Sequence, residues 1–365
     1  MNQRLIKLQT WMKENDVDVS FLTSSENVFY LSGYYTDPHE RLLALVVFQE
    51  EEPFLVCPSM EVPDAKRSGW DREIIGYSDI DHPWDMILGS INKRINGVHK
   101  AAIEKEHMNV ERYEQLSAMF PKAAFISAEE KLRLLRMIKD MNELKIIEEA
   151  CALADYAVEF GASEIKEGKT ELEVLNALEY ALKQKGVTEM SFSTMVLTGA
   201  NAASPHGTPG ETKIKKGDLV LFDLGVVVDR YCSDITRTVA YGDINDKQKE
   251  IYDTVLKAQL AAIEASKPGV SAADVDLTAR RIISDAGYGE FFPHRLGHGL
   301  GISVHEYPSL TETNQLMIEE GMIYTIEPGI YVPEIAGVRI EDDIFITADG
   351  AKILTKFPKE LQIIK

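Results

Sequence analysis

The chain has little cysteine: three residues in 365, at positions 57, 151 and 232. Their spacing fits neither a disulfide framework nor a zinc-ligand set, so they read as reduced thiols in a cytosolic protein. Long apolar runs are missing too. No segment approaches the roughly 18 apolar residues of a membrane span. The opening "MNQRLIKLQTWMKENDVDVSFLT" places apolar residues at helical spacing and lacks the continuous apolar stretch of a signal peptide. A basic surplus is absent: 39 Lys and Arg face 59 Asp and Glu, for a net charge of −20. That argues against a nucleic-acid partner, because phosphate binding needs a basic face. These absences leave a soluble, cytoplasmic protein with neither nucleic acid nor membrane as its partner. Apolar content is ordinary at 45%, and 365 residues exceed what one core usually spans, so two domains are expected. The excess acid serves solubility, or a site that holds cations.

Residues 1 to about 125 alternate strand-like stretches ("VSFLT", "LLALVVF", "PFLVCP", "AAIEK") with helix-like ones ("RLIKLQTWMKEN", "NVERYEQLSAMF"), which suggests a small α/β domain. The text from Ala128 to Lys185 is helical, and its start is a natural linker. The expected division is residues 1–127, a linker helix over 128–139, and a second domain over 140–365. That second domain repeats itself weakly: two helices and a set of strands, twice over. "KGDLVLFDLG" (216–225) aligns with "EGMIYTIEPG" (320–329), so that Asp223 matches Glu327, and a second acid follows on each return strand, Asp234 and Glu341.

A two-residue turn at Asp229-Arg230 places Asp223 opposite Thr236, with Asp234 its diagonal neighbour on the same face. Converging carboxylates repel, and burial makes this worse. Taken alone, the hairpin leaves it open whether these acids are solvated or pair with Arg230 or Arg237. The second hairpin repeats the arrangement. Four buried carboxylates need about four positive charges, which two divalent cations supply; the ligand type puts manganese ahead of zinc. "FFPHRLGHGLGISVHEYP" (291–308) offers His294, His298 and His305 as the imidazole that would complete the set. Gly297, Gly299 and Gly301 exclude a helical zinc pair there and suggest a backbone passing close to something.

"FDLGVVVDRYCSDITRTV", "HRLGHGLGISVHE", "TIEPGIY" and "GVRIEDD" resemble the metal-binding blocks of the pita-bread (M24-type) metallopeptidases, which include proline dipeptidases (prolidases), Xaa-Pro aminopeptidases and methionine aminopeptidases. The resemblance covers about 130–365, and the N-terminal part looks like the creatinase-type domain of the proline-specific branch. It implies an α/β (α+β) fold: a pita-bread catalytic domain with a pseudo-twofold repeat behind a smaller creatinase-like domain. It implies Asp223, Asp234, His298, Glu327 and Glu341 as ligands of two divalent ions, manganese first, with cobalt or zinc as alternatives. A hydroxide between the ions would be the nucleophile. Glu327 would relay its proton, His305 would steady the oxyanion, and His206 would border the substrate. His294 would line the pocket after the scissile bond. Arg339 would position Glu341 or the substrate, unless it is a plain salt bridge to Asp342 or Asp343.

The implied reaction is hydrolysis of an Xaa-Pro bond, in dipeptides first, with an aminopeptidase acting on longer peptides as the alternative and a non-catalytic binding protein behind both. A dipeptidase must read a free carboxylate, typically with arginine. Many prolidases resemble one another in placing that arginine after "VHE", but here no Lys or Arg lies between Arg295 and Arg339. Arg295 is one substitute. The other is the charged stretch "YYTDPHERLL" (34–43), with His39 and Arg41, which is either a solvated loop or a lid, in a family whose proline-specific members are commonly homodimers.

Overall fold

The computed structural model describes residues 3–205 and 207–365. The chain divides into two compact units, one ending at Arg136 and one spanning Met137–Lys365.

In the first unit the strands are β1 (Val19–Leu22), β2 (Ala44–Phe48), β3 (Phe54–Pro58), β4 (Ile74–Tyr77), β5 (Lys100–Ile103) and β6 (Ala124–Ser127). Among the described residues they form one mixed sheet in the order β4-β3-β2-β1-β5-β6. β2 and β3 are buried at every position. Strands covered on both faces read as unbroken apolar runs, which is why "LLALVVF" and "PFLVCP" stand out in the sequence. The helices are α1 (Gln3–Glu14), α2 (Ser25–Ser32), α3 (Val62–Arg67), α4 (Pro83–Asn92), α5 (Val110–Met119) and α6 (Glu129–Met137).

The second unit is built twice from the same parts. α7 (Met141–Ser163) and α8 (Glu171–Gln184) share a core with β7 (Met195–Thr198), β8 (Asp218–Leu224) and β11 (Ile235–Tyr241). α9 (Asp246–Ala265) and α10 (Ala272–Asp285) share another with β14 (Ile323–Ile326), β16 (Ala336–Arg339) and β17 (Asp342–Thr347). α7, α8 and α9 each open with a capping box, at Asp140/Glu143, Thr170/Glu173 and Asn245/Gln248. These reciprocal bonds satisfy backbone donors that a helix start leaves open and so fix where each helix begins.

Each half contributes one long hairpin with a local interruption. β8 and β11 pair Asp223 with Thr236, and the tip strands β9 (Val227–Val228) and β10 (Tyr231–Cys232) pair Val228 with Tyr231. This is the register that a two-residue turn dictates. Asp229 and Arg230 take φ of 44° and 72°, the left-handed values of a type I′ turn. In the other half β14 pairs with β17 (Ile326 with Asp342), and β15 (Gly329–Val332) pairs with β16 (Gly329 with Arg339). The register is unshifted across the interruption, so Glu327 falls opposite Glu341. β12 (Gly297–Gly299) lies between β14 and β13 (Glu306–Leu310). β18 (Gly350–Ile353) edges that sheet, and β19 (Ile363–Ile364) edges the β7–β8–β11 sheet.

Candidate metal centre

The interruptions of the two hairpins bring the acids together. Asp234 lies just before β11, Glu327 just after β14 and Glu341 between β16 and β17. His298 joins them from the middle of β12. A Cβ on Gly297 would strike the Thr325 carbonyl oxygen, and one on Gly299 would strike that of Tyr307. Only glycine on both sides lets this strand carry His298 so deep between its neighbours.

Asp234, His298 and Glu341 each offer a ligand atom within 4.8 Å of the others. His298 Nδ1 donates to the Gly299 carbonyl at 3.1 Å, which fixes the tautomer and leaves the Nε2 lone pair facing Glu327 at 3.3 Å and Asp234 at 3.7 Å. Burial pushes the imidazole pKa down to about 3, and neighbouring His305 and Arg295 push the same way. The ring is therefore neutral, and these contacts are not ion pairs. The carboxyls shift in the opposite direction. Burial first, then Glu341 and Asp223, hold Asp234 well above the usual carboxylate range. Burial, Glu327 and Asp223 do the same to Glu341. Glu327 is pushed up to about 7, chiefly by burial and against the pull of Arg339.

The residues fit a pair of divalent cations. Asp223 Oδ1 and Asp234 Oδ1 are buried with no hydrogen-bond partner, an arrangement that costs free energy unless something positive meets them. Four carboxylates and a neutral imidazole are the donor set of hard to borderline metals such as manganese, cobalt or zinc. Arg339 ion-pairs with Asp223, donates Nε to Thr236 Oγ1 at 3.1 Å and Nη1 to the Tyr331 hydroxyl at 2.6 Å. Asp342 is taken instead by Arg237 and Lys359, and Asp343 by the Asp234 amide and the Cys151 thiol. Arg230 pairs with Glu189. Arg237 is thus committed to Asp342, and Arg339 is the counter-ion of Asp223.

The five expected ligands line a cavity of about 760 Å³ together with His294, Arg295, His305 and Arg339. The His305 ring stands perpendicular to that of His298, with centroids 4.3 Å apart. His294 Nδ1 donates to the Arg295 carbonyl at 2.8 Å, so its Nε2 accepts from the Tyr331 hydroxyl at 2.9 Å. Arg295 donates to Ser309 Oγ at 3.3 Å and has no carboxylate partner among the described residues. His206 lies outside the described residues. His39 and Arg41 belong to the first unit, on the stretch between α2 and β2. There Arg41 meets Asp79 at 3.2 Å and Glu40 at 3.4 Å, and His39 lies 3.6 Å from Asp37.

Several residues around the centre escape a reading of sequence. Tyr331 links Arg339 to His294; a Cβ on Gly329 would fall on its ring, so the "EPGIY" spacing was the available signal. Thr236 donates to Glu341 at 2.6 Å while receiving Arg339. Glu306, next to His305, accepts from the Ser303 amide and pairs with Lys139 at 3.3 Å, in a bridge almost wholly buried.

Comparison with known proteins agrees with this geometry. Residues 145–348 match metallopeptidase family M24, and residues 4–138 match the creatinase/prolidase N-terminal domain. "Putative dipeptidase YkvY" of Bacillus subtilis is 57% identical over 361 residues, 99% of each chain. The prolidase from Pyrococcus horikoshii superposes with a TM-score of 0.91 at 39% identity, covering 99% of this chain and 100% of that one. An Xaa-Pro dipeptidase from Bacillus anthracis does so with 0.93 at 34% identity, covering 99% of both. A creatinase-type domain followed along the chain by a doubled α/β catalytic unit, expected from the sequence, is the architecture found. This chain belongs to metallopeptidase family M24 and is a hydrolase of that family.

Proposed function

We propose that the protein hydrolyses the Xaa-Pro bond of dipeptides. The observation that carries the dipeptide reading is Arg295. It is a cation in the wall of the metal cavity with no carboxylate of its own, placed to receive one from a substrate.

Asp223, Asp234, His298, Glu327 and Glu341 would hold the two ions, with manganese first by donor type and cobalt or zinc as alternatives. When bound, such ions supply Lewis acidity, polarising a carbonyl and acidifying water to make the nucleophile at neutral pH. Glu327 accepts the proton released by the attacking water at its carboxylate and returns it to the leaving proline nitrogen. His305, beside His298, donates to the oxygen of the scissile carbonyl as charge builds there. His294 is held in one tautomer by Tyr331 and the Arg295 carbonyl, and it walls the proline side. Arg339 keeps Asp223 in place. The reading extends to a cytoplasmic homodimer. Three buried free cysteines support its cytoplasmic part.

The test compares Leu-Pro with Leu-Pro-Gly. Wild type should favour the dipeptide. Arg295→Ala should raise KM for the dipeptide by about 30-fold and for the tripeptide by less than about threefold, because only the former presents its carboxylate there. His39→Ala or Arg41→Ala should move the same ratio if either residue helps to read the carboxylate. A wild-type preference for the tripeptide would replace the dipeptidase reading with that of an aminopeptidase.

A further inference from the structure

Glu171 is the first residue of α8 and is completely buried. Its carboxylate touches no metal ligand. Oε1 accepts from the Thr198 amide at 2.7 Å and from Asn201 Nδ2 at 3.0 Å. Oε2 accepts from the Gly210 amide at 2.8 Å and from the same Asn201 nitrogen at 2.9 Å. One side chain therefore ties both ends of the segment 198–210. The Asn201 amide extends the tie to the Thr208 carbonyl at 3.2 Å. Backbone bonds from Glu171 to Thr212 and from Leu172 to Gly210 fasten the far end again.

This segment is a wall of the metal cavity, to which it contributes Pro205, Gly207, Thr208 and Pro209. Its other flank is also fixed: a Cβ on Gly337 would collide with the Ala202 carbonyl, so the turn at 199–203 lies hard against the ribbon that carries Arg339. The wall is thus held between a buried carboxylate and the second hairpin. Starting α8 does not require Glu171, because Thr170 and Glu173 already form the capping box. Charge-assisted bonds are stronger than neutral ones, and four of them converge on loop groups.

We infer that Glu171 is a positioning residue for substrate: it sets the distance between the wall of Pro205, Gly207, Thr208 and Pro209 and the metal centre, so substrate affinity depends on it and the chemical step does not. The choice of assay substrate rests on the Xaa-Pro reading above.

The experiment uses the metal-loaded, full-length protein. Glu171→Gln keeps the shape but turns an amide nitrogen toward backbone donors, and Asn201→Ala removes the bridging group from the loop side. Glu173→Gln is the control, an acid of the same helical turn that caps Thr170 and makes no bond to the wall. For Glu171→Gln, KM for Leu-Pro should rise by about tenfold with kcat within about twofold, the equivalent of one charged hydrogen bond. Asn201→Ala should shift KM the same way by less. Peptides covering 198–210 should exchange amide hydrogen faster in both variants, with bound metal unchanged. Glu173→Gln should leave KM alone, because glutamine can close the same capping box, as Gln248 does in α9. A lowered kcat at constant KM, unchanged exchange in 198–210, or a KM shift in Glu173→Gln equal to that in Glu171→Gln would overturn the inference. If wild type leaves Leu-Pro intact, the Xaa-Pro reading fails by itself, and the exchange data still decide whether Glu171 holds the wall.

Discussion

The two hairpins of the catalytic unit look like copies, yet they are not equivalent. In the second, Glu327 and Glu341 face each other across the interruption. In the first, Asp223 sits inside the strand opposite Thr236, and Asp234 is a diagonal step away. The first hairpin ends in a tight turn. The second carries a longer ribbon, which supplies Tyr331 and Arg339, and Arg339 reaches back to hold Asp223 of the first. Duplication supplied four carboxylates in matching places, and divergence gave one copy the groups that restrain the other. Equivalent positions along a chain are therefore a guide to which residues converge and a poor guide to what each one does.

The largest effect tests whether the acids at matched positions share one task. Asp234→Asn and Glu341→Gln should each lower kcat/KM by about a thousandfold or more and reduce bound metal, because each removes an anionic donor that the centre needs. Full metal occupancy in either variant, measured by elemental analysis, would break the equivalence.

A second measurement asks how the crowded acids behave without cations. In chelated protein, Asp234, Glu341 and Glu327 keep their protons to higher pH than they would in an unfolded chain. From the ordinary glutamate value of 4.5 up to about 7 for Glu327, the folded state then binds more protons than the unfolded one. Stability should therefore fall as pH rises through that window. The chelated protein should melt several degrees lower at pH 7.5 than at pH 5, and added manganese should reverse the loss. Equal melting at both pH values would show that the fold does not raise the proton affinity of these acids.

The smallest effect separates coupling between the hairpins from support within one. Thr236 joins the halves, through Glu341 and Arg339, whereas Thr325 stays within the second, donating to Glu327 at 3.1 Å and accepting from the uncharged His298 amide at 3.1 Å. Thr236→Val should cost about 1–2 kcal/mol by denaturant titration, more than Thr325→Val, because two charged partners lose a bond. Equal costs would mean that the halves are joined elsewhere.

Much of the site was legible in the sequence because it rests on local rules. Period-two alternation and one turn dipeptide fixed the register of Asp223 against Thr236. Glycines around His298 marked a strand squeezed between neighbours. Arg339 was visible as a cation near the acids, but its partner was not: Asp223 lies 116 residues earlier in the chain. The same distance hid Glu171, whose targets begin 27 residues later, and Lys139, whose partner Glu306 is 167 residues away. In the first unit β4 and β6 are four residues each, and they are less buried than β2 and β3.

The bonds that steady the acids run crosswise. The Asp234 amide is held by Asp343, and the Glu341 amide by the Thr236 carbonyl, at 2.8 and 3.0 Å. Each lobe therefore shapes the other's contribution, and neither is self-sufficient. A polypeptide with a single lobe could complete the carboxylate cluster only by clasping a twin across a symmetry axis. Joining both lobes in one chain frees the pair to become unlike, which is what lets an arginine on one side answer an aspartate on the other.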